Sequence, residues 1–217
     1  MQYPEERQAV VDAGREMASS ALCIGTWGNI SCRLSPDLLA ITPSGMDYYA
    51  LKDEDILVMD LAGNIIEGIR KPSTEQPLHR AIYAARPDVG AIVHTHSVYA
   101  TAMAAARRPI PGAVEDLVQI VGGDVRVAQY ALPGTAELGQ YVVEALAGRN
   151  GVLLANHGAL GAAGTLQQAL TICQIIEKSA QITLAAQAIG GVVELPQQDI
   201  DAMRQYFLNS YGQRGGK

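Results

Sequence analysis

A chain of 217 residues that is 48% hydrophobic and 18% charged carries enough apolar material for a sizeable core, which excludes a wholly disordered chain and favours one domain over residues 1–217. A formal charge of -6 excludes a broad phosphate-binding surface, so no nucleic-acid partner is expected. The longest apolar-rich stretch, GVLLANHGALGAAG, is broken short of the roughly 18 residues that a membrane span requires, so no membrane contact is expected.

The first segment, about residues 4–22, aligns Val10, Val11, Met17 and Leu22 as the apolar face of a helix. It lacks the basic and then apolar order of a secretion signal, which points to a cytoplasmic location. Three short strands follow, NISCR, LLAIT and ILVMD, separated by turn-rich TPSGMD and LAGN. KPSTEQPLHRAIYAARPDV then predicts a helix capped by Ser73 or Thr74, with Pro77 in its first turn, Leu78, Ile82 and Tyr83 inward, and Pro87 at its end. AIVHTH is a buried strand. Residues 97–106 and 113–121 predict two helices, VRVAQYA a strand, TAELGQYVVEALAG a helix capped by Thr135 and stopped by Gly148, and GVLLAN a further strand. A long helix over about 165–189, a Gly-Gly break, a helix from Pro196 to about Tyr211 and a frayed tail over 212–217 complete the chain. Helices between strands would cover both faces of one central sheet, an α/β architecture. Cys23, Cys32 and Cys173 are odd in number and widely spaced, and read as reduced core thiols.

Within VHTHS, strand alternation turns His94 and His96 to one face and Thr95 to the other, so two imidazoles can grip one metal ion. Hydrogen-bonded polar groups at a strand end have the same spacing. His157, between the strand GVLLAN and Gly158, adds a third imidazole in the same context. Three neutral imidazoles leave an open position on Zn²⁺, which suits catalysis. His79, inside the helix after Glu75, reads as a hydrogen-bonded packing residue.

Hydroxyl-rich loops supply Gly25, Thr26, Gly28, Asn29 and Ser31 from GTWGNIS, Thr42, Ser44 and Gly45 from TPSG, and Ser73 and Thr74 at a helix start where free N–H groups favour an anion. Turn chemistry or capping accounts for each of them singly. Glu75 is either a capping acid or, beside a metal and a phosphate pocket, a group that moves a proton on carbon next to a carbonyl.

GNIS, TPSG, PSTE, HTH and NHG, in this order, resemble the class II aldolase/adducin family of sugar-phosphate aldolases, and the likeness runs over nearly the whole chain. The resemblance implies a three-layer α/β/α domain with a central, mainly antiparallel sheet. It implies zinc on His94, His96 and His157, with Mn²⁺, Fe²⁺ or Co²⁺ as substitutes that imidazoles also accept. Glu75 would ligate the resting metal and serve as acid and base in turnover. Thr26, Gly28, Asn29, Thr42, Ser44, Gly45, Ser73 and Thr74 would form the phosphate pocket, and the family's habit is a homotetramer with active sites at subunit borders. The implied reaction is reversible cleavage of a ketose 1-phosphate to dihydroxyacetone phosphate and an aldehyde.

Two departures stand out. The family motif has two serines before the acid, where this chain has Ser73 and Thr74, so a hydroxyl is retained. Fuculose-phosphate aldolases carry a proton-donating tyrosine in the segment matching IPGAVEDLVQIVGG, which here has none; Glu115 or Asp116 lies there, as a solvated helix face or as a replacement donor. That leaves L-fuculose 1-phosphate and a 5-deoxy- or 5-methylthio-pentulose 1-phosphate as substrates, the latter fitting the missing tyrosine better. Within the family, 4-epimerases usually carry aspartate in place of Glu75, methylthioribulose-1-phosphate dehydratases use an additional glutamate that Glu115 would match, and decarboxylases are a further relative. An adducin-like scaffold is the alternative without catalysis.

Overall fold

The computed structural model describes residues 1–212, so most of the tail expected over 212–217 lies outside the described residues. The chain opens with helix α1 (Pro4–Ser19), then lays down β1 (Asn29–Ser35), β2 (Leu38–Ile41), β3 (Leu57–Asp60) and β4 (Ile65–Glu67) as successive antiparallel neighbours. Helix α2 (Gln76–Ala85) leads to β5 (Ala91–Thr95), and α3 (Val98–Ala105) and α4 (Glu115–Val121) lead to β6 (Arg126–Ala128). After α5 (Ala136–Ala145) come β7 (Gly151–Leu154) and β8 (Gly158–Ala163), and then α6 (Leu166–Ala188) and α7 (Gln197–Asn209). The eight strands form one sheet in the order β4-β3-β2-β1-β5-β8-β7-β6. Every pairing is antiparallel except β6 with β7.

Alternation along the strands divides the apolar side chains between two cores. Ile30, Ala40, Val93 and Leu153 meet Val10 and Met17 of α1, Met103 of α3, Val121 of α4 and Ile176 of α6 on one face. Leu39, Ile41, Ile92, Val152 and Leu160 meet Leu78 and Ile82 of α2 and Val142 of α5 on the other. The result is the expected α/β/α layering with a mainly antiparallel sheet.

Several boundaries differ from the sequence reading, each for a local reason. Helix α1 stops at Ser19 because Ala21 adopts a left-handed conformation (φ 55°) and the Leu22 amide turns back to the Met17 carbonyl, which drops Leu22 into the core. Neither Ser73 nor Thr74 caps α2. The helix begins one or two residues later, with Glu75 at the cap position, and the Ser73 hydroxyl accepts a hydrogen bond from the Glu75 amide at 3.3 Å. Thr135 does cap α5, its Oγ1 accepting from the Leu138 amide. β5 ends at Thr95, and the His96 amide leaves the ladder to bond the Leu22 carbonyl. β6 covers only part of VRVAQYA, and β4 and β8 were not anticipated.

Candidate active site

Four side chains meet at one end of the central strands. The start of β1 and the end of β5 are in register, with Asn29 opposite His94, and the turn joining β7 to β8 brings His157 over the same end. His94 Nε2 lies 3.0 Å from His96 Nε2 and 3.3 Å from His157 Nε2. Glu75, at the start of α2, places Oε2 3.2 Å from His94 Nε2 and Oε1 3.4 Å from His157 Nε2. One donor atom from each of the four lies within 4.8 Å of all the others.

Glycine is needed for this convergence at two positions. A Cβ on Gly158 would stand 2.2 Å from the Thr95 carbonyl oxygen, and one on Gly28, which has φ 88°, would stand 2.7 Å from the His94 carbonyl oxygen. Their absence lets β8 and the loop before β1 press against β5. Asn156 (φ 58°) turns the chain ahead of His157, and Arg107 donates to its Oδ1.

Hydrogen bonding fixes what the cluster can do. His94 Nδ1 is 2.9 Å from the Ala159 carbonyl, which only accepts, so Nδ1 carries a proton and the neutral form of the ring turns its Nε2 lone pair inward. That lone pair faces two further imidazole nitrogens and a carboxylate. Such a set repels itself until a cation stands among its members, and three nitrogens with one oxygen suit a divalent metal ion. Glu75 Oε1 and His157 Nδ1 are buried with no hydrogen-bond partner.

The electrostatics of His96 and His157 agree. Burial, followed by the neighbouring His94, pulls His96 down to about 3 and His157 to about 4, so both rings are neutral at pH 7, the form that ligates metal. Burial pushes the Glu75 carboxyl up, but His94, His157 and the Asn29 amide outweigh it and hold the group well below the ordinary carboxylate range. Burial pulls His94 down while the Glu75 carboxylate pulls it up, and the carboxylate prevails. A metal cation would feel that same attraction.

Beside the cluster lies a cavity of about 350 Å³, lined by residues 26–29, 43–45 and 73–75 together with His96, Pro133 and His157. Two of its loops are joined through the backbone: the Ser44 amide donates to the Lys71 carbonyl at 2.9 Å, and the Ser73 amide to the Thr42 carbonyl at 3.1 Å. The cavity therefore gathers Thr26, Gly28, Asn29, Ser44, Gly45, Ser73, Thr74, Glu75, His96 and His157 from the residues singled out in the sequence. Thr42 is not on its wall; the buried Oγ1 accepts from the Ile30 amide at 3.1 Å. Glu115 is exposed at the start of α4, Asp116 is ion-paired with Lys178, and neither lines the cavity within one chain.

Sequence reasoning missed Trp27, Pro43 and Pro133 on the wall. Trp27 is two-thirds exposed and its ring centroid lies 5.7 Å from that of His96. The signal available was a lone tryptophan in a glycine-bearing loop beside hydroxyl residues. His79 and Ser31 lie behind the cavity: His79 Nε2 is 2.6 Å from Asn29 Oδ1, and its Nδ1 is 2.6 Å from Ser31 Oγ. His79 is thus the buried, hydrogen-bonded residue anticipated from its helical position.

Comparison with known proteins gives one consistent result. The pattern of the family described as Class II Aldolase and Adducin N-terminal domain matches residues 8–184. The chain is 40% identical to a 5-deoxy-D-ribulose 1-phosphate aldolase of Bacillus thuringiensis, with 99% of this chain and 100% of that protein covered. It is 39% identical to a 5-methylthioribulose-1-phosphate/5-deoxyribulose-1-phosphate aldolase of Rhodospirillum rubrum, over 95% of this chain and 92% of that one. Among solved structures, an L-fuculose 1-phosphate aldolase superposes with a TM-score of 0.91 at 40% identity, covering 94% of this chain and 96% of that chain.

Proposed function

The chain belongs to the class II aldolase and adducin family, and from that premise we propose that it is a metal-dependent lyase that reversibly cleaves a 5-deoxy- or 5-methylthio-pentulose 1-phosphate to dihydroxyacetone phosphate and an aldehyde. The observation that carries this reading is the convergence of three inward imidazole nitrogens and the Glu75 carboxylate beside a hydroxyl-lined cavity. His94, His96, His157 and Glu75 would hold the ion, zinc first and Mn²⁺, Fe²⁺ or Co²⁺ as substitutes. When bound, such an ion supplies a positive field that lowers the cost of negative charge developing next to a carbonyl.

The remaining roles belong to the chain. Ser44, Ser73 and Thr74, with the backbone N–H groups around Gly28 and Gly45 and the start of α2, would hold the phosphate dianion; no Lys or Arg lines the cavity among the described residues. As the C3–C4 bond of the ketose breaks, the C4 hydroxyl loses its proton and leaves as the aldehyde, while Glu75 delivers a proton to C3 to complete dihydroxyacetone phosphate. In the synthetic direction Glu75 removes that proton.

The proton on the aldehyde oxygen needs a second carrier. Glu115, exposed and not on the cavity wall of its own chain, would serve a neighbouring subunit in a homotetramer. In support, Trp27 on the cavity wall is exposed, as are Val98 and Leu132, which follow His96 and precede Pro133 closely in the chain. No described helix is long and apolar enough to cross a membrane. A cytoplasmic site of action fits a substrate whose phosphate keeps it from crossing lipid.

A panel of ketose 1-phosphates, with dihydroxyacetone phosphate detected by coupled reduction, tests the assignment. Release of that product from the 5-deoxy and 5-methylthio compounds in preference to L-fuculose 1-phosphate is expected. Consumption of substrate without that product would replace aldol cleavage by epimerisation or dehydration. Metal analysis of the purified protein is the companion test, since failure to bind any divalent ion would favour a scaffold.

A further inference from the structure

Behind Glu75 runs a chain of four buried polar side chains that the reaction as described does not use. Tyr83 Oη lies 2.9 Å from Ser31 Oγ, Ser31 Oγ 2.6 Å from His79 Nδ1, His79 Nε2 2.6 Å from Asn29 Oδ1, and Asn29 Nδ2 2.8 Å from Glu75 Oε2. Tyr83, Ser31 and His79 are at most 1% exposed, and Asn29 and Glu75 are 4% and 6%.

Donor and acceptor chemistry gives this chain one direction. The Glu75 carboxylate only accepts, so Asn29 turns its NH₂ toward it and its carbonyl Oδ1 toward His79. Oδ1 only accepts, so the His79 proton is on Nε2. Nδ1 of the neutral ring is then an acceptor, Ser31 donates to it, and Ser31 in turn accepts from the Tyr83 hydroxyl. Each group is satisfied in only one orientation. Burial drives His79 down to about 3, which keeps the ring neutral as the sequence of donors requires.

We infer that His79, oriented by Ser31 and Tyr83, is a positioning residue that locks the Asn29 amide and through it the Glu75 carboxylate, so that Oε2 is fixed and proton exchange with substrate proceeds from one orientation of the acid. The inference rests on the reading of Glu75 as the proton carrier. Oε2 accepts from the Asn29 amide at 2.8 Å and lies 3.2 Å from His94 Nε2, while Oε1 lies 3.4 Å from His157 Nε2. The chain is not a proton wire, because a carboxamide lies in its path and an amide neither gains nor loses a proton readily. Its effect is orientation. With His79 removed, Asn29 can rotate its amide by a half turn and present Oδ1 to the carboxylate, exchanging attraction for repulsion.

Two measurements on the full chain test this. In zinc-loaded protein with ¹⁵N-labelled histidine, His79 is expected to be neutral and protonated on Nε2, with a slowly exchanging, far-downfield N–H that persists from about pH 6 to 8. A ring protonated on Nδ1, or one that is cationic in that interval, would overturn the direction of the chain and the inference with it. Kinetically, His79→Leu should lower kcat roughly 10- to 100-fold with KM for the ketose 1-phosphate little changed, as loss of a supporting hydrogen bond does. His79→Gln should recover most of that loss, since its amide offers a donor and an acceptor at the spacing of the two ring nitrogens. Full kcat in a folded His79→Leu, or no recovery in a folded His79→Gln, would refute the positioning role; should His79→Leu not fold, the spectroscopic result decides alone. Glu75→Gln separates the two readings. If it retains turnover, the role of Glu75 fails whatever the imidazole spectrum shows, and if it is inactive while His79 is protonated on Nδ1, only the positioning chain fails.

Discussion

The imidazole cluster and the hydroxyl loops flank Glu75 and are built in opposite ways. His94 sits within β5, whose ladders to β1 and β8 fix its backbone on both sides, and each member of the cluster contributes a single side-chain donor atom. The loops at 26–29, 43–45 and 73–74 offer backbone N–H groups and several hydroxyls, so any one contact is a fraction of the whole. A site assembled from unique donors fails all at once, and one assembled from shared donors fails by degrees.

His94→Ala gives the largest break: it should drive turnover to background and metal content well below one ion per chain, measured by elemental analysis of the purified variant. Treatment of the parent with a chelator should reproduce the loss, and a divalent ion should restore it. Glu75→Gln follows, lowering kcat by roughly 10²- to 10⁴-fold, the usual worth of a positioned acid or base, without altering the fold seen by circular dichroism. On the loop side, Ser73→Ala should cost only about tenfold in kcat/KM, as expected for one hydrogen bond to a charged group. A loss to background there would show that the loops are as intolerant as the imidazoles and would erase the contrast.

Stability sharpens the comparison through His79. Its folded value of about 3 lies below the ordinary 6.5, so the unfolded chain takes up a proton between those values while the native protein does not. The contribution is complete above pH 6.5 and is lost as pH falls toward 3, at about 1.4 kcal/mol per pH unit for this one group. Denaturant midpoints between pH 7 and 4 should fall less steeply in His79→Gln than in the parent. The smallest effect belongs far from both regions, where Thr135→Ala, which removes the cap of α5, should cost about 1 kcal/mol in chemical denaturation and leave kcat/KM as it was.

The imidazoles were legible in the sequence because strand alternation alone turns His94 and His96 the same way, and because His157 precedes a glycine at a strand end. β1, β2, β3, β5 and β7 carry β-branched or long apolar residues that announce them. β8, GALGAA, is made almost wholly of small residues buried on both faces, so it shows neither alternation nor bulk; its role is to let backbones approach, which no apolar pattern signals. β4 is short and two of its three residues are exposed, as an edge strand can be. The cap of α2 was misread because Ser73 and Thr74 have the chemistry of caps but lie in the loop that faces the cavity. Asn29 was read as a phosphate-loop residue, and its bonds to Glu75 and His79 depend on the pairing of β1 with β5, a long-range fact.

The stitching of residues 42–44 to residues 71–73 has a further consequence. Glu75 follows Ser73 by two positions, so whatever settles into the pocket between these loops also sets the foundation on which the acid stands. Attraction for a group remote from the reacting carbons would thereby be converted into alignment of the proton carrier. A ketose lacking its phosphate would then turn over slowly even at saturating concentration, because the part of the substrate that never reacts helps to assemble the part of the enzyme that does.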